Sequence, residues 1–331
     1  MTWLVAVVTA VALLILLAAT LPVPTAGLVS HAAPATDYAD AIARIARRQQ
    51  ADDLVAADGG RSIFLTHGAR RARAVVLFHG FTNSPRQFEH LAAMLYAAGD
   101  NVYVPRLPRH AERNGTADTL ASLTAEELRD CADSAVDVAD GLGDSVIVAG
   151  LSAGGTVAAW IAQARSDVHR VVIIAPLLAI GRVPQLLETP LMNLALRVHD
   201  VTRADSPDRL RPDRELGVSS RAIAQVLRLG TAVRRAAAHT SPRTRDIVFV
   251  TNANDHTVKT APAVDLARVW SRSGAATAVY EFPRSLGLAH DVAEEAGPHA
   301  QSALVYSELQ ALIHGEPPAG ALAGHRVWPV P

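Results

Sequence analysis

The chain has 331 residues, 50% hydrophobic and 19% charged, with a formal net charge of -1. That composition excludes extended disorder and any whole-chain field that would recruit nucleic acid or another polyanion. Cys131 is the only cysteine, which excludes an intrachain disulfide framework and a cysteine-rich metal site; it reads as a small buried apolar residue.

Trp3 to Leu21 is uncharged and almost wholly apolar. As a helix rising about 1.5 Å per residue it would span roughly 28 Å, close to the hydrocarbon core of a bilayer. Residues 1–21 are therefore expected to be a transmembrane anchor or a signal segment. Met1-Thr2 supplies no basic side chain and the candidate cleavage site Ala33-Pro34-Ala35 has proline in its middle, so a retained anchor is favoured and secretion after cleavage is the alternative. The membrane face stays open. Arg44, Arg47 and Arg48 pull toward the cytoplasm by the positive-inside rule, yet they are interleaved with Asp37, Asp40, Asp52 and Asp53 in what reads as a folded helix. Pro22 to Thr36, rich in Pro, Ala, Ser and Thr, reads as a linker over residues 22–36.

Asp37 to Ala57 has a weak helical period ended by Gly59-Gly60. Short apolar runs then alternate with helical ones, at Ser62–Thr66, Ala74–Phe78, Asn101–Val104, Ser145–Ala149, Arg170–Ala175, Asp246–Thr251 and Thr277–Phe282. Runs such as VVLF at 75–78 and VVII at 171–174 do not alternate, as expected of central strands covered on both faces. The fold class is α/β with a mostly parallel central sheet and helices on both faces. Between Pro176 and Pro242 the alternation stops, predicting a helical cap insertion at 176–242 between core segments 37–175 and 243–315, with a C-terminal tail at 316–331. The stretch from Pro176 to Arg243 carries eleven arginines against six acidic residues, which suits either anionic headgroups or solvated helix faces. Leu186, Leu187, Leu191, Met192, Leu194 and Leu196 either line an acyl-chain pocket or seat the cap on the sheet.

VIVAGLSAGGTVAAWIA, residues 146–162, is a strand, then Gly150-Leu151-Ser152-Ala153-Gly154, then a helix. This is the G-x-S-x-G nucleophile elbow in the strand-turn-helix context that gives it weight. Serine is a poor nucleophile at its free pKa and needs an adjacent base and donors for the developing oxyanion. Gly150 and Gly154 leave room for the tight turn, and the Ala153 N–H at the helix start would face the substrate oxygen.

AVVLFHGFTNSPRQFEHLAAML, residues 74–95, is a buried strand, then His79-Gly80-Phe81, then a helix. Here the sequence resembles the α/β-hydrolase family, and within it bacterial carboxylesterases and monoacylglycerol lipases, from about Arg61 to Ile313. The resemblance implies that Phe81 offers a second oxyanion N–H and that His79 braces the loop without moving protons. GDNVYVPRLPRH, residues 99–110, resembles the family's next strand and loop, but Arg109-His110-Ala111 replaces its usual glycine and second histidine.

Family chain order is nucleophile, acid, histidine. DIVFVTNANDHTV, residues 246–258, puts Asp255 just past a strand in the family's Asp-x-x-Val pattern with Val258, and VYEFPRSLGLAHD, residues 279–291, puts His290 after the last strand. Asp255 also suits a helix N-cap before Val258–Val269. Asp291 competes as the acid, but adjacent side chains rarely point into one hydrogen bond; His256 fails beside Asp255 for the same reason. The resemblance implies a serine esterase or lipase with Ser152 as nucleophile, His290 as base and Asp255 orienting it, acting on a small-molecule or lipid ester. No HExxH or paired-cysteine motif occurs, and no metal or organic cofactor is expected. Acyl transfer to an alcohol, amide cleavage, and a silent binding module on the same fold remain alternatives. Oligomeric state is not legible. Every candidate catalytic residue lies beyond residue 78, so turnover of a soluble ester is expected to survive removal of everything before Asp37.

Overall fold

Residues 2–204, 217–293 and 301–329 are described by a computed structural model; residues 205–216 of the expected cap and the last two residues of the expected tail lie outside them. In chain order the elements are α1 (Thr2–Thr20), α2 (Tyr38–Val55), β1 (Ile63–Leu65), β2 (Arg71–Phe78), α3 (Glu89–Ala97), β3 (Asn101–Val104), α4 (Ala117–Ala121), α5 (Ala125–Leu142), β4 (Gly143–Leu151), α6 (Ala153–Ala164) and β5 (Arg170–Ile174). They continue with α7 (Gln185–Ala195), β6 (Thr202–Ala204), β7 (Gly217–Ser219), α8 (Ser220–Ala237), β8 (Asp246–Asn252), α9 (Ala261–Arg272), β9 (Ala276–Phe282), α10 (Ser302–His314) and β10 (Arg326–Trp328).

Eight strands form one sheet in the order β1-β3-β2-β4-β5-β8-β9-β10. Only the outermost pairs, β1 with β3 and β10 with β9, are antiparallel. The unalternated runs are explained by two cores. In β2, Ala74, Val76 and Phe78 face one core with α5, α6, α8 and α9, while Val75 and Leu77 face the other with α3 and α10. Successive side chains of a strand point to opposite faces, so a strand covered on both sides is apolar at every position.

Three strands of the C-terminal half were not legible in the sequence. β10 lies in the stretch expected as a tail, and its three residues add an antiparallel edge to β9. The cap region was expected to have no strand, yet β6 and β7 pair across its middle. Three residues are too few for a period to show.

Residues 22–36 connect α1 to the domain by lying across it as a strap. Val23, Leu28 and Ala35 are buried in the main core. The strap's backbone meets polar groups from four helices. The buried Trp160 indole N–H of α6 donates to the Leu28 carbonyl at 2.9 Å, and Arg228 of α8 donates to the Pro24 carbonyl at 2.8 Å. On α5, the Asp133 carboxylate accepts from Ser30 Oγ and the His31 N–H, both at 2.6 Å, and Asp137 Oδ2 accepts from the Ala33 N–H at 3.0 Å. Arg44 of α2 donates to the Ala33 carbonyl at 2.6 Å. Asp133 and Asp137 also hold Arg165, whose side chain is 1% exposed, at 2.9 and 2.6 Å. The strap therefore completes a buried polar layer under α5 and α6.

That arrangement alters what truncation should do. A chain beginning at residue 22 keeps the strap and loses only the contacts of Asn193 and Arg197 with α1, so it should unfold close to the intact domain. One beginning at Asp37 strips apolar cover from the core and leaves the Trp160 N–H without its acceptor, and should be less stable by at least about 3 kcal/mol. Urea unfolding of the two proteins checks this; coincident midpoints would make the strap a passive linker.

Candidate active site

The elbow is built by steric exclusion. β4 runs into Ser152, whose backbone sits at φ 58 and ψ -111, and α6 starts at the next residue. A positive φ is costly for a residue with a side chain and persists only where the surroundings enforce it. Here the enforcement is close packing: a Cβ on Gly150 would lie 2.2 Å from the Gly154 carbonyl oxygen, and one on Gly154 would lie 2.0 Å from that of Phe78. Gly155, which the sequence reading passed over, is equally constrained, 2.7 Å from the Ile174 carbonyl oxygen. The Ser152 N–H donates to Ile174 at 2.9 Å and its carbonyl accepts from Leu177 at 3.0 Å, pinning the turn to β5 and the chain after it.

His290 comes to Ser152 from the loop after β9. Asn252, the last residue of β8, donates through its side-chain amide to the carbonyls of Leu288 and Ala289 at 3.0 and 2.8 Å, clamping that loop. His290 Nε2 then lies 2.9 Å from Ser152 Oγ and Nδ1 lies 2.7 Å from Asp255 Oδ2. The other Asp255 oxygen accepts from the N–H groups of Thr257 and Val258 at 2.8 and 3.0 Å. Asp255 is not the helix N-cap its position suggested, because α9 begins at Ala261 with Thr260 as its N-cap; its second oxygen holds the turn that precedes the helix. Burial pushes the Asp255 carboxyl up, but the His290 hydrogen bond and charge and the two backbone N–H groups outweigh it and hold it below 3.8. It stays ionised at neutral pH.

Asp291 turns the other way. Its carboxylate accepts from Gln87 Nε2 at 2.8 Å and Asn83 Nδ2 at 2.9 Å. Gln87 Oε1 in turn accepts from the Gly80 N–H at 2.7 Å. The loop carrying His290 is thereby tied to the loop carrying Phe81. Neither Asn83 nor Gln87 was singled out from the sequence, where nothing distinguishes them from loop polar residues.

His79 is enclosed behind Phe81. The Leu107 N–H donates to its Nε2 at 3.1 Å, so the proton sits on Nδ1, which donates to the Gly80 carbonyl at 2.9 Å. Arg109 and Ala111 both take positive φ, 65 and 49, in the stretch that replaces the family's usual glycine and second histidine. Between them the buried His110 ring lies 5.5 Å from that of His79 and 5.4 Å from that of Phe81, both edge to face. The loop is held by Arg106, which donates to the His110 carbonyl at 2.8 Å and to Asp52 of α2 at 2.9 Å.

An apolar cavity of about 260 Å³ lies between α7 and α8, lined by Leu178, Ile180, Leu191, Met192, Ile223 and Leu227 among others. Leu178 directly follows Leu177, whose N–H donates to the Ser152 carbonyl. Of the six cap residues expected either to line a pocket or to seat the cap, Leu191 and Met192 line it, Met192 and Leu196 also pack on the core, Leu186 and Leu187 face outward, and Leu194 is half-buried. Lys259 bridges the cap to the core through Glu188 and the Val183 carbonyl. Cys131 is half-buried, and burial raises its thiol pKa, so it is no nucleophile. Among the described residues no group of three or more metal-capable side chains occurs.

Comparison with known proteins agrees with this architecture. The pattern described as Alpha/beta hydrolase family matches residues 75–325. The chain belongs to that family. Among solved structures it is similar to one reported with LipS and LipT, two metagenome-derived lipolytic enzymes, at TM-score 0.60 and 18% identity over 79% of this chain and 100% of the other. It is also similar to a monoacylglycerol lipase of Paleococcus ferrophilus, at TM-score 0.57 and 16% identity over 77% and 97%. A soluble variant of the monoglyceride lipase of Saccharomyces cerevisiae gives TM-score 0.53 and 13% identity over 77% and 91%. No curated protein matches the chain.

The two enclosed histidines predict an acid sensitivity of the fold. Burial lowers His110 from 6.5 to about 4, with the Pro108 carbonyl offsetting and Arg106 reinforcing the effect. Burial, then the neighbouring His110, takes His79 well below 6.5. Below 6.5 the unfolded chain binds protons that the folded one does not, so stability is full above that pH and falls toward pH 4. His110 should contribute a slope of up to roughly 1.4 kcal/mol per pH unit. Denaturant midpoints at about pH 7 and about pH 5 test this, and a flat profile would mean that the rings are not held neutral.

Proposed function

We propose that this hydrolase-family chain cleaves carboxylic esters, with Ser152 as nucleophile, His290 as general base and acid, and Asp255 fixing the imidazole. The observation that carries the reading is the continuous relay from Ser152 Oγ through His290 to Asp255, at 2.9 and 2.7 Å. The ionised Asp255 accepts the Nδ1 proton, so the Nε2 lone pair is turned to the serine hydroxyl. His290 takes the Ser152 proton as Oγ bonds to the ester carbonyl carbon. The oxyanion is received by the N–H groups of Phe81 and Ala153, the latter at the start of α6, where the helix dipole adds to the stabilisation. Collapse breaks the bond to the alcohol oxygen, which leaves with the proton from His290. Water then gives a proton to the same nitrogen, attacks the acyl carbonyl, and releases the acid with Ser152 restored.

The cavity between α7 and α8, apolar and beginning one residue past the elbow's contact with Leu177, suits an acyl chain. Its enclosure by cap helices supports a lipase-like substrate of the kind named for the similar structures. α1 supplies the means of working at a bilayer, where poorly soluble esters accumulate.

Replacing Ser152 by Ala should abolish turnover of p-nitrophenyl esters and labelling by a fluorophosphonate while changing stability by less than about 1 kcal/mol. Appreciable turnover by the purified variant would remove Ser152 from the mechanism. Asp255→Asn keeps the shape but favours the wrong tautomer, and should cost up to roughly ten-thousandfold in kcat. Asp291→Asn should cost far less, because it orients loops and touches neither Ser152 nor the His290 ring. The opposite ranking of the two Asn variants would transfer the acid's role to Asp291.

A further inference from the structure

We propose that the N-terminal segment is kept in the mature protein as a rigid mount, with the strap built into the hydrolase domain, and that it holds the α7 face of the cap against a lipid bilayer. The inference rests on the membrane reading given above and is independent of the proposed chemistry.

Three observations lead to it. The first is that the contacts continue through the strap into the helix itself. Asn193 of α7, wholly buried, donates to the Ala19 carbonyl at 2.8 Å, and Arg197 donates to the carbonyls of Ala18 and Pro22 at 3.1 and 3.3 Å. A helix leaves its last carbonyls without intrahelical partners. Here cap side chains satisfy them, so the end of α1 is fixed on α7 rather than swinging on a tether.

The second concerns α1 itself. It is apolar along its whole length, yet only Ala19 is buried. Exposed apolar surface on that scale is stable only in contact with lipid or another apolar partner. Its mean hydropathy of 2.6 over a single 19-residue helix suits a bilayer. If α1 lies in lipid and ends on Asn193, the bilayer boundary must pass beside α7.

The third is the outward face of the cap at that boundary. Leu186 is 90% exposed and Val201 69%, and Leu187 and Val198 are exposed as well. Exposed leucines scattered singly need no explanation, but Leu186 and Leu187 lie on the helix to which α1 is fastened, and Val198 and Val201 on the chain just beyond its end. The same helix carries Leu191 and Met192 on the lining of the apolar cavity. One face of α7 therefore meets the lipid while another lines the space proposed for the acyl chain.

Cleavage at Ala33-Pro34-Ala35 would be costly on the same geometry. It would remove the acceptor of the Trp160 indole and the strap's donors to Asp133 and Asp137. It would also remove the Asn193 partner on α1.

The test uses the full chain in phosphatidylcholine vesicles that carry a spin-labelled lipid as quencher. Fluorophores are placed through Leu186→Cys, Val201→Cys and, as a control, Asp144→Cys at the opposite end of β4, each in a Cys131→Ser background. Quenching at 186 and 201 should exceed that at 144 severalfold. Mass spectrometry of unmodified protein extracted from membranes should find the N-terminal peptide beginning at residue 1 or 2. Equal quenching at all three sites would overturn the docked cap, as would crosslinking of 186 between copies without lipid quenching. A mature chain beginning at or beyond residue 22 would overturn the retained mount. Ser152→Ala should leave the quenching pattern unchanged, so failure of the esterase reading and failure of this one are separately visible.

Discussion

The constraint on which the rest depends is the collision space around Ser152. β4 must turn into α6 within one residue, and it does so because Gly150 and Gly154 let two backbones approach to distances that no Cβ tolerates. The strained serine that results is not held by its own preferences. It is held by Ile174 of β5 and by Leu177 in the chain just after it, and β5 is in turn held by the parallel strands on either side. A fully covered sheet is what makes that grip stiff, because both faces are packed and no strand of the centre can shift without opening a core. The Ser152 hydroxyl thus stands at the carboxyl end of a strand that the whole domain immobilises.

Around that fixed point two loops must be brought to register, and the chain uses polar groups rather than packing to do it. Asn252 clamps the His290 loop, while Asp291, Asn83 and Gln87 tie it to the Phe81 loop. Behind them, His79 and His110 fill the interior as neutral rings, and Arg106 fastens the loop to Asp52 of α2. Directional hydrogen bonds between the loops fix their relative orientation, which apolar contact alone does not. The cost is the acid sensitivity of two imidazoles denied their protons, and the strain of Arg109 and Ala111 in left-handed backbone without glycine.

How much of this was legible in the sequence follows from the range of each interaction. The elbow is local: a strand, five residues and a helix fully state it, so Ser152 and its glycines could be read directly. The two-sided core was legible because burial on both faces writes itself as unbroken apolar runs such as 75–78 and 171–174, whereas the order of the strands was not. Asp255 and His290 were legible only through chain order, since their meeting is a property of loops separated by a helix and a strand. β10 and the β6–β7 pair were missed because three residues carry no period. Asn83, Gln87 and Asn252 were missed because an amide side chain in a loop looks the same whether it faces water or a partner two hundred residues away, as Gln87 and Asp291 are.

The strap shows the same limit most clearly. Proline, alanine, serine and threonine in a row usually mark chain with nothing to bury. Here, apart from Val23 and Leu28, the segment is bound chiefly through its backbone, and backbone carbonyls and N–H groups are identical in every residue except proline. What identifies the strap is found on other elements: the indole of Trp160, the carboxylates of Asp133 and Asp137, and the guanidinium of Arg228 all point to a place where composition predicts solvent. A buried polar side chain must find a partner, and for these helices the partner is the chain that precedes the domain. The segment between α1 and the hydrolase domain is in that sense part of the core.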